Sequence, residues 1–226
     1  MRIVSLNVAQ FAGRSAIIPL ARLRAPEIAP KIGVLLAAEK PDVVALQEAP
    51  AKLGDFDPVT DLLGPSPVHV VRTPGPRHGP ALLTRHAVRL QQAQHFKPDS
   101  LNGKGWALAE LQTKVGRLLI VSLHLATLSP ASRRRQIERL GEQLDRYDGL
   151  KVVVGDINSG GRAPLQLAER LNLVPYSAGA TFPASAPSLR LDWAFTSAEI
   201  NVRSLVSLSH LPSDHCALRL DLQLPK

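Results

Sequence analysis

The sequence predicts an α/β protein, because short apolar runs typical of buried strands alternate with longer segments of helical periodicity. The clearest strand covers residues 151–154, where three valines follow a lysine and leave the run apolar on both faces. The clearest helix has Ser129 as its N-cap and Pro130 at its first position, and it continues to about Tyr147. The chain has 226 residues, enough to bury a sizeable core. No internal boundary is evident, so we predict one domain over residues 1–226.

The composition is basic, with 27 Lys and Arg against 19 Asp and Glu and a net charge of +8. This balance suits a polyanionic partner such as a nucleic acid, a phosphorylated metabolite or an anionic membrane surface. The single cysteine, Cys216, excludes an internal disulfide and fits a reducing compartment. The N-terminus becomes polar too early for a signal peptide, and no run approaches the roughly 20 apolar residues of a membrane span. We therefore expect a cytoplasmic protein without a transmembrane segment, and we favour a monomer.

The other elements follow from the same two patterns. Strands are predicted at positions 2–8, 42–48, 68–72, 81–84, 106–112, 117–125, 181–183, 189–195, 200–208 and 216–222. Helices are predicted at positions 27–40, 60–63 and 164–171. In the first of these helices Pro30 falls in the first turn, where proline is tolerated. Val115 and Gly116 form the turn of a predicted hairpin.

Polar side chains recur where these strands end. Asp156 and Asn158 follow the strand that Gly155 ends, and they lie on one side if the chain stays extended. A carboxylate and a carboxamide at the edge of a buried strand are costly without partners, although such residues also occur at strand-to-turn junctions for backbone reasons. Three more strands end in the same way, which favours function. The candidate residues are Asn7, Glu48, His124, Asp156, Asn158, Asp192, Asp214 and His215.

These residue types indicate metal-assisted chemistry, provided that strand ends at one edge of two packed sheets converge into a cleft. Carboxylates and amides suit Mg²⁺ or Mn²⁺, whereas no Cys or His cluster has the spacing of a zinc site. Histidines beside carboxylates can form pairs that raise the histidine pKa. A metal, a carboxylate and a histidine are what the attack of water on a phosphate ester needs. Four histidines between residues 69 and 95 lack the spacing of metal ligands and are predicted at the surface or in turns: His69, His78, His86 and His95.

Arginines supply candidate substrate contacts. Arg133, Arg134, Arg135 and Arg139 occupy the N-terminal half of the helix that follows residue 129, against the helix dipole. A bound anion nearby would explain this placement, and a solvated helix face is the alternative. We select Arg133 and Arg134, together with Arg190, as candidate substrate-binding residues.

The candidate residues lie in short motifs whose order resembles the endonuclease/exonuclease/phosphatase superfamily. The motifs are Asn7, Leu46-Gln47-Glu48, Ser122-Leu123-His124-Leu125, Gly155-Asp156-Ile157-Asn158, Arg190-Leu191-Asp192-Trp193 and Ser213-Asp214-His215. The match spans nearly the whole chain. The resemblance implies a four-layer α/β sandwich, with two packed, mainly antiparallel sheets flanked by helices, and metal-dependent hydrolysis of phosphoester bonds.

The same resemblance implies roles for single residues in the metal half of the site. Glu48 is similar to the main metal ligand, Asp214 to an acid close to the metal, and Asn7 to the amide near metal and phosphate. Asp156 and Asn158 are similar to the pair that positions water and phosphate. The implied cofactor is Mg²⁺ or Mn²⁺.

The resemblance also implies a histidine–carboxylate pair, in which Asp192 orients the final histidine, His215. His124 is similar to the second histidine of deoxyribonuclease-like and phosphatase-like members. Two positions differ from abasic-site endonucleases, because Ala9 replaces an acid and His124 replaces a tyrosine. The short chain also leaves little room for insertions that grip DNA.

We therefore expect a divalent-metal-dependent phosphodiesterase or nuclease whose substrate contains phosphate, with DNA and RNA as candidates. A phosphatase, or a phospholipid or inositol-phosphate hydrolase of the same fold, is the alternative, because the fold does not choose among them. An inactive anion-binding module is a third hypothesis. It would require the loss of Glu48, Asp156, Asp192 or His215, and the sequence retains all four.

Overall fold

Two six-stranded sheets form the centre of the computed structural model, which describes residues 1–11, 25–50, 68–75, 78–96 and 103–226. The first sheet contains β1 (Arg2–Asn7), β2 (Val43–Ala49), β3 (His69–Arg72), β4 (Gly79–Thr84), β11 (Asn201–Leu208) and β12 (Ala217–Gln223). Its strand order is β11-β12-β1-β2-β4-β3. Within this sheet β1 and β2 are parallel, and the other pairs are antiparallel.

The second sheet has a similar plan. It contains β5 (Val88–His95), β6 (Gly105–Thr113), β7 (Gly116–His124), β8 (Leu150–Asp156), β9 (Val174–Tyr176) and β10 (Asp192–Thr196). The order is β5-β6-β7-β8-β10-β9. Only β7 and β8 are parallel in it. Each sheet therefore has one parallel pair, and the ends of that pair carry candidate residues.

Three α-helices accompany the sheets in the described ranges: α1 (Ala25–Ala38), α2 (Pro130–Leu144) and α3 (Arg162–Leu171). The predicted cap of α2 is confirmed, because the Ser129 side chain accepts a hydrogen bond from the Ser132 amide. Helix α1 begins earlier than predicted, so Pro30 lies inside it rather than in its first turn. None of the helices combines the length and the hydrophobicity that a membrane span requires, within the part of the chain that the structure describes.

Three apolar clusters fill the spaces between the four layers. One lies between the two sheets and includes Val43, Leu111 and Val152. A second joins α1 to the outer face of the first sheet, and a third joins α2 and α3 to the outer face of the second sheet. The predicted four-layer α/β sandwich of two mainly antiparallel sheets is confirmed.

Some predicted strands are wrong. Residues 181–183 form only an isolated bridge between Phe182 and Leu189, because Pro183 has no N–H for a ladder. Strand β10 begins at Asp192 rather than at residue 189. The strands β5 and β9 were not predicted, since β5 is an edge strand with mixed polarity and β9 has only 3 residues. The predicted helix at 60–63 lies outside the described residues.

Gly155 does not end its strand, contrary to the prediction. Strand β8 continues through Asp156, and Leu123 of β7 pairs with Gly155. A Cβ atom at this glycine would lie 2.0 Å from the Leu123 carbonyl oxygen, and its φ is +146°. The absence of a side chain thus allows β7 and β8 to approach closely just before the strand ends that carry the candidate residues.

A buried polar contact fixes the two sheets relative to each other below these strand ends. Gln47 Nε2 of β2 donates to Ser5 Oγ at 3.2 Å and to Ser122 Oγ of β7 at 3.0 Å. Ser122 Oγ in turn donates to the Leu46 carbonyl at 2.8 Å. Hydrogen bonds across the sheet interface limit sliding of one sheet over the other, because sliding would leave buried polar atoms unpaired.

Candidate active site

Three candidate residues form a row across the second sheet. The register of the parallel pair places His124 beside Asp156, and the antiparallel pair β8–β10 places Asp156 beside Asp192. Side chains of directly paired residues project from the same face of a sheet. All three side chains are buried, with relative exposures of 0%, 1% and 2%. The strand ends therefore bring together one histidine and two carboxylates that are far apart in sequence.

The first sheet contributes Asn7, which closes the cleft from the opposite side. Its Nδ2 donates to Asp156 Oδ2 at 3.1 Å, and its Oδ1 accepts from the Ala9 amide at 3.0 Å. The Asn7 carbonyl accepts from Ser213 Oγ at 2.5 Å, and that hydroxyl also accepts from the His215 amide at 3.2 Å. Asn7 thereby couples the second sheet to the segment that carries His215.

Asp156 lies at the centre of the cluster. Its Oδ1 accepts from the Asn158 amide at 2.8 Å, and its Oδ2 lies 3.3 Å from His124 Nε2 and 3.9 Å from His215 Nε2. Burial opposes its negative charge, but the hydrogen bond from His124 and the charges of His215 and Lys104 hold the pKa of Asp156 well below its usual range. This carboxylate is therefore ionised at neutral pH.

Asn158 reaches the site differently from the sequence expectation. Its φ is +54°, so the chain turns after Asp156 and does not stay extended. The backbone N–H of Asn158 donates to Asp156 Oδ1, and the Asn158 side-chain Nδ2 donates to the Leu125 carbonyl at 2.9 Å. Asn158 thus fixes both the central carboxylate and the loop that follows β7.

Asp192 and His215 form a buried pair, with His215 Nδ1 2.9 Å from Asp192 Oδ2. The His215 ring also lies 4.9 Å from the Phe182 ring. Burial raises the pKa of Asp192 and opposes the positive charge of His215. The proton nevertheless lies on the histidine, because Asp192, Asp156 and Asp214 together raise the pKa of His215 to about 10. His215 is an imidazolium at neutral pH.

His124 has the opposite charge preference. It is fully buried, and its Nε2 contacts the Lys104 ammonium as well as the Asp156 carboxylate. Burial and the charge of Lys104 lower the pKa of His124, although Asp156 and Glu48 oppose the shift. His124 is therefore neutral at neutral pH.

Glu48 lies next to the last residue of β2, where the pairing with β4 shifts its register between Leu46 and Ala49. Its φ is +54°, a conformation that turns the side chain out of the normal alternation. Its Oε1 lies 3.8 Å from Lys104 Nζ and 3.9 Å from His124 Nε2. Burial opposes the charge of Glu48, but the nearby charge of Lys104 helps to lower the pKa of this carboxyl.

The carboxylates of Glu48 and Asp214 are the type of oxygen ligand that a hard divalent cation prefers. Asp214 is half-buried, and burial together with the nearby charge of Glu48 raises its pKa. Two carboxylates that repel each other in this way are stabilised by a cation between them. The ligand atoms of Asp156, Asp192 and His215 also lie within 4.8 Å of one another. A cation bound by all three would compete with the pairing of His215 Nδ1 and Asp192.

The three candidate arginines lie in different places. Arg133 Nη1 donates to the carbonyls of Ala126 and Thr127, each at 2.8 Å, and its guanidinium is close enough to interact with the charge of Asp156. Arg134 lines the groove between α2 and α3. The Arg190 guanidinium lies 5.5 Å from the centre of the Trp193 ring. Arg133 is thus close to the central cluster, whereas Arg134 faces the groove between α2 and α3, away from any contact with that cluster among the described residues.

Lys104 belongs to the cluster and was missed in the sequence. It is 7% exposed, immediately precedes β6, and contacts both Glu48 and His124. The sequence has no signal for this placement, because a lysine between Gly103 and Gly105 is typical of a solvated loop. His78 was predicted as a surface or turn residue, yet its charge reaches Glu48.

Comparisons with known proteins agree with this architecture. The model of the Endonuclease/Exonuclease/phosphatase family matches residues 7–215. No curated protein matches the chain by sequence. Mannosyl-6-phosphatase from Bacteroides thetaiotaomicron is similar in structure, with a TM-score of 0.77 and 15% identity over 99% of this chain and 100% of that chain.

Two further solved structures have comparable similarity. An endonuclease/exonuclease/phosphatase from Bacteroides vulgatus has a TM-score of 0.77 and 17% identity, covering 99% of this chain and 98% of its own. A humanized TDP2 of D. rerio has a TM-score of 0.75 and 14% identity, covering 99% and 98% respectively. At these identities the likeness shows a shared fold.

Proposed function

Because the chain belongs to the endonuclease/exonuclease/phosphatase family, we propose that it hydrolyses phosphoester bonds with the help of Mg²⁺ or Mn²⁺, as a phosphodiesterase or nuclease. The observation that carries this proposal is the convergence of Asn7, Asp156 and the Asp192–His215 pair at the ends of both sheets. In this arrangement an ionised carboxylate, Asp156, and an imidazolium, His215, face the same part of the cleft. These are the two charges that the attack of water on a phosphate requires.

In the proposed reaction Asp156 orients the attacking water. Asn7 and the Asn158 amide hold its two oxygens in place through hydrogen bonds of 3.1 Å and 2.8 Å. Because the Asp156 pKa is far below neutral, the carboxylate is available to accept a hydrogen bond from water. This preorganisation lowers the cost of fixing the water during the reaction.

His215 stabilises the negative charge that develops on the phosphoryl oxygens or on the leaving group. Its Nε2 lies 3.9 Å from Asp156 Oδ2, so it faces the same space as the attacking water. Asp192 is a positioning residue, because it holds Nδ1 and stabilises the imidazolium without contacting substrate. A raised pKa makes His215 an acid rather than a base over the neutral range.

The ligands proposed for the cation are Glu48 and Asp214, with the Asn7 carboxamide close by. When bound, the cation would offset negative charge on the phosphoryl oxygens of the substrate. The support from this chain is that burial, and to a smaller extent the nearby charge of Glu48, raises the pKa of Asp214. The lowered pKa of Glu48 keeps that residue ionised and ready to bind a cation.

The decisive experiment is a substrate screen with a metal series. DNA, RNA, bis-p-nitrophenyl phosphate, inositol phosphates and phospholipids are tested with Mg²⁺, Mn²⁺ and excess EDTA. We expect hydrolysis that depends on the cation, and a melting temperature that the cation raises. Glu48→Gln should lose both effects, whereas Glu142→Gln on the exposed face of α2 should keep them. Full activity in excess EDTA would contradict the proposal.

A phosphatase is the second candidate, and the positive charges of Lys104 and His215 in one cleft favour it. A phosphomonoester dianion carries more charge than a diester and gains more from two cationic groups. The similarity to a mannosyl-6-phosphatase supports the same candidate. Comparing p-nitrophenyl phosphate with bis-p-nitrophenyl phosphate distinguishes the two, because a phosphatase prefers the monoester. A steep fall of affinity with salt would instead favour nucleic acid.

A further inference from the structure

The position of Lys104 is unusual for a lysine. Its side chain is buried at the inner end of the cleft, where the ammonium contacts His124 Nε2 and lies 3.8 Å from Glu48 Oε1. Lysine is rarely buried to this extent unless its charge has a partner. Burial lowers the pKa of Lys104, and the charges of Asp156 and Glu48 oppose this shift. An amine of the chain itself therefore lies beside a carboxylate and a histidine of the proposed site.

The backbone around Lys104 is tightly held. A Cβ atom at Gly103 would lie 2.1 Å from the His78 carbonyl oxygen, and one at Gly105 would lie 2.3 Å from the Gln94 carbonyl oxygen. The Lys104 carbonyl accepts from the Phe96 amide at 3.0 Å. Because neither neighbour tolerates a side chain, the segment packs directly against two other backbone segments. This packing fixes where the lysine side chain begins and directs it into the cluster.

We propose that Lys104 is a substrate-binding residue whose ammonium donates a hydrogen bond to a non-bridging oxygen of the scissile phosphate. This inference rests on the proposed phosphoester hydrolysis. Without substrate the ammonium lies against Glu48 and His124, and a cation bound by Glu48 competes for the same carboxylate. When phosphate enters, the long flexible side chain turns its three donors from Glu48 to the anion.

Lys104→Met should change the affinities for phosphate and for Mn²⁺ in opposite directions. Inorganic phosphate, measured as a ligand in the presence of Mn²⁺, should bind about tenfold more weakly, since a hydrogen bond to a charged group is lost. Mn²⁺ alone should bind more tightly, on the order of fivefold, because a positive charge near Glu48 is removed. Both affinities are measured by calorimetry and need no turnover, so they remain informative even if the proposed reaction is wrong.

Two further variants complete the test. Lys114→Met, in the exposed turn at the other end of β6, makes the same change of charge and should alter neither affinity. Lys104→Arg keeps the charge and should bind phosphate within about threefold of the wild type. Unchanged phosphate and Mn²⁺ affinities in a folded Lys104→Met would overturn the proposal and make the residue a structural ion pair. If Lys104→Met does not fold, Lys104→Gln replaces it as the neutral variant. Phosphate affinity that is unchanged in a folded Lys104→Gln would then overturn the proposal.

Discussion

The two halves of the cleft hold the same residue type in opposite charge states. His215 faces Asp192, Asp156 and Asp214, and these carboxylates raise its pKa to about 10. His124 faces the same Asp156, but it is fully buried against the Lys104 ammonium, and its pKa is lowered. The charge on a histidine is therefore set by its neighbours and its burial. The difference gives one cleft an acid and a neutral hydrogen-bonding ring.

The largest expected effect concerns the charged half. Asp192→Asn and His215→Ala should each lower kcat by about 10²-fold to 10⁴-fold, because the first removes the group that positions the imidazolium and the second removes the imidazolium itself. The double variant should be little worse than the poorer single variant. The folded fraction of each variant is checked first by circular dichroism. Effects on kcat that multiply in folded proteins would show that the two residues act independently.

The stability of the fold should depend on pH differently for the two histidines. The folded pKa of His215 is about 10, above the unfolded value of about 6.5. Its stabilisation is therefore fully present below about pH 6.5 and is lost as pH rises through about 10. The folded pKa of His124 is lowered, so His124 costs stability as pH falls below about 6.5.

This difference is measured by thermal unfolding of His215→Gln and His124→Gln from about pH 6 to about pH 10.5. His215→Gln should be less stable than the wild type by about 3 kcal/mol at the acidic end, because a buried carboxylate loses its partner. The difference in the free energy of unfolding between the wild type and His215→Gln should become smaller toward alkaline pH. For His124→Gln this difference should become smaller toward acidic pH instead. If the stability lost relative to the wild type changed with pH in the same way for both variants, the opposite charge assignments would be contradicted.

A smaller effect on catalysis is expected in the neutral half. His124→Gln should lower kcat by about tenfold, the value of one hydrogen bond in a buried network, since no charge is removed. His69→Gln, an exposed site on β3, serves as the control and should leave kcat unchanged. A loss as large as that of His215→Ala would mean that His124 is charged during the reaction.

The sequence predicted the strand-end residues because a polar group after an apolar run is a local signal. Asp156 has this signal, whereas Asn7 and Asp192 stand out as polar residues inside predicted apolar strands; the structure brings the three together. Lys104 has no such signal, because a lysine between glycines is typical of a solvated turn. Its direction depends on the approach of His78 and Gln94, which are distant in sequence. The sequence likewise placed the end of a strand at Gly155, since its pairing with Leu123 is not local.

The arginines show a similar limit. Arg133 and Arg134 are neighbours on α2, and successive residues of a helix point about 100° apart. One contacts the loop after β7 and the other lines the groove toward α3. Which arginine faces the cleft depends on the packing of α2 against the sheet and against α3. Charge and spacing in the sequence do not contain that information.

The most direct test of the account is the protonation state of the two histidines in the same protein. Long-range ¹H–¹⁵N correlation spectra of histidine-labelled protein report both ring nitrogens, and His215→Gln and His124→Gln assign the two signals. We predict that at neutral pH His215 has protons on both nitrogens and keeps them until about pH 10. His124 should have a single ring proton throughout the neutral range. A neutral His215, or two histidines that titrate together near about pH 6.5, would contradict the account.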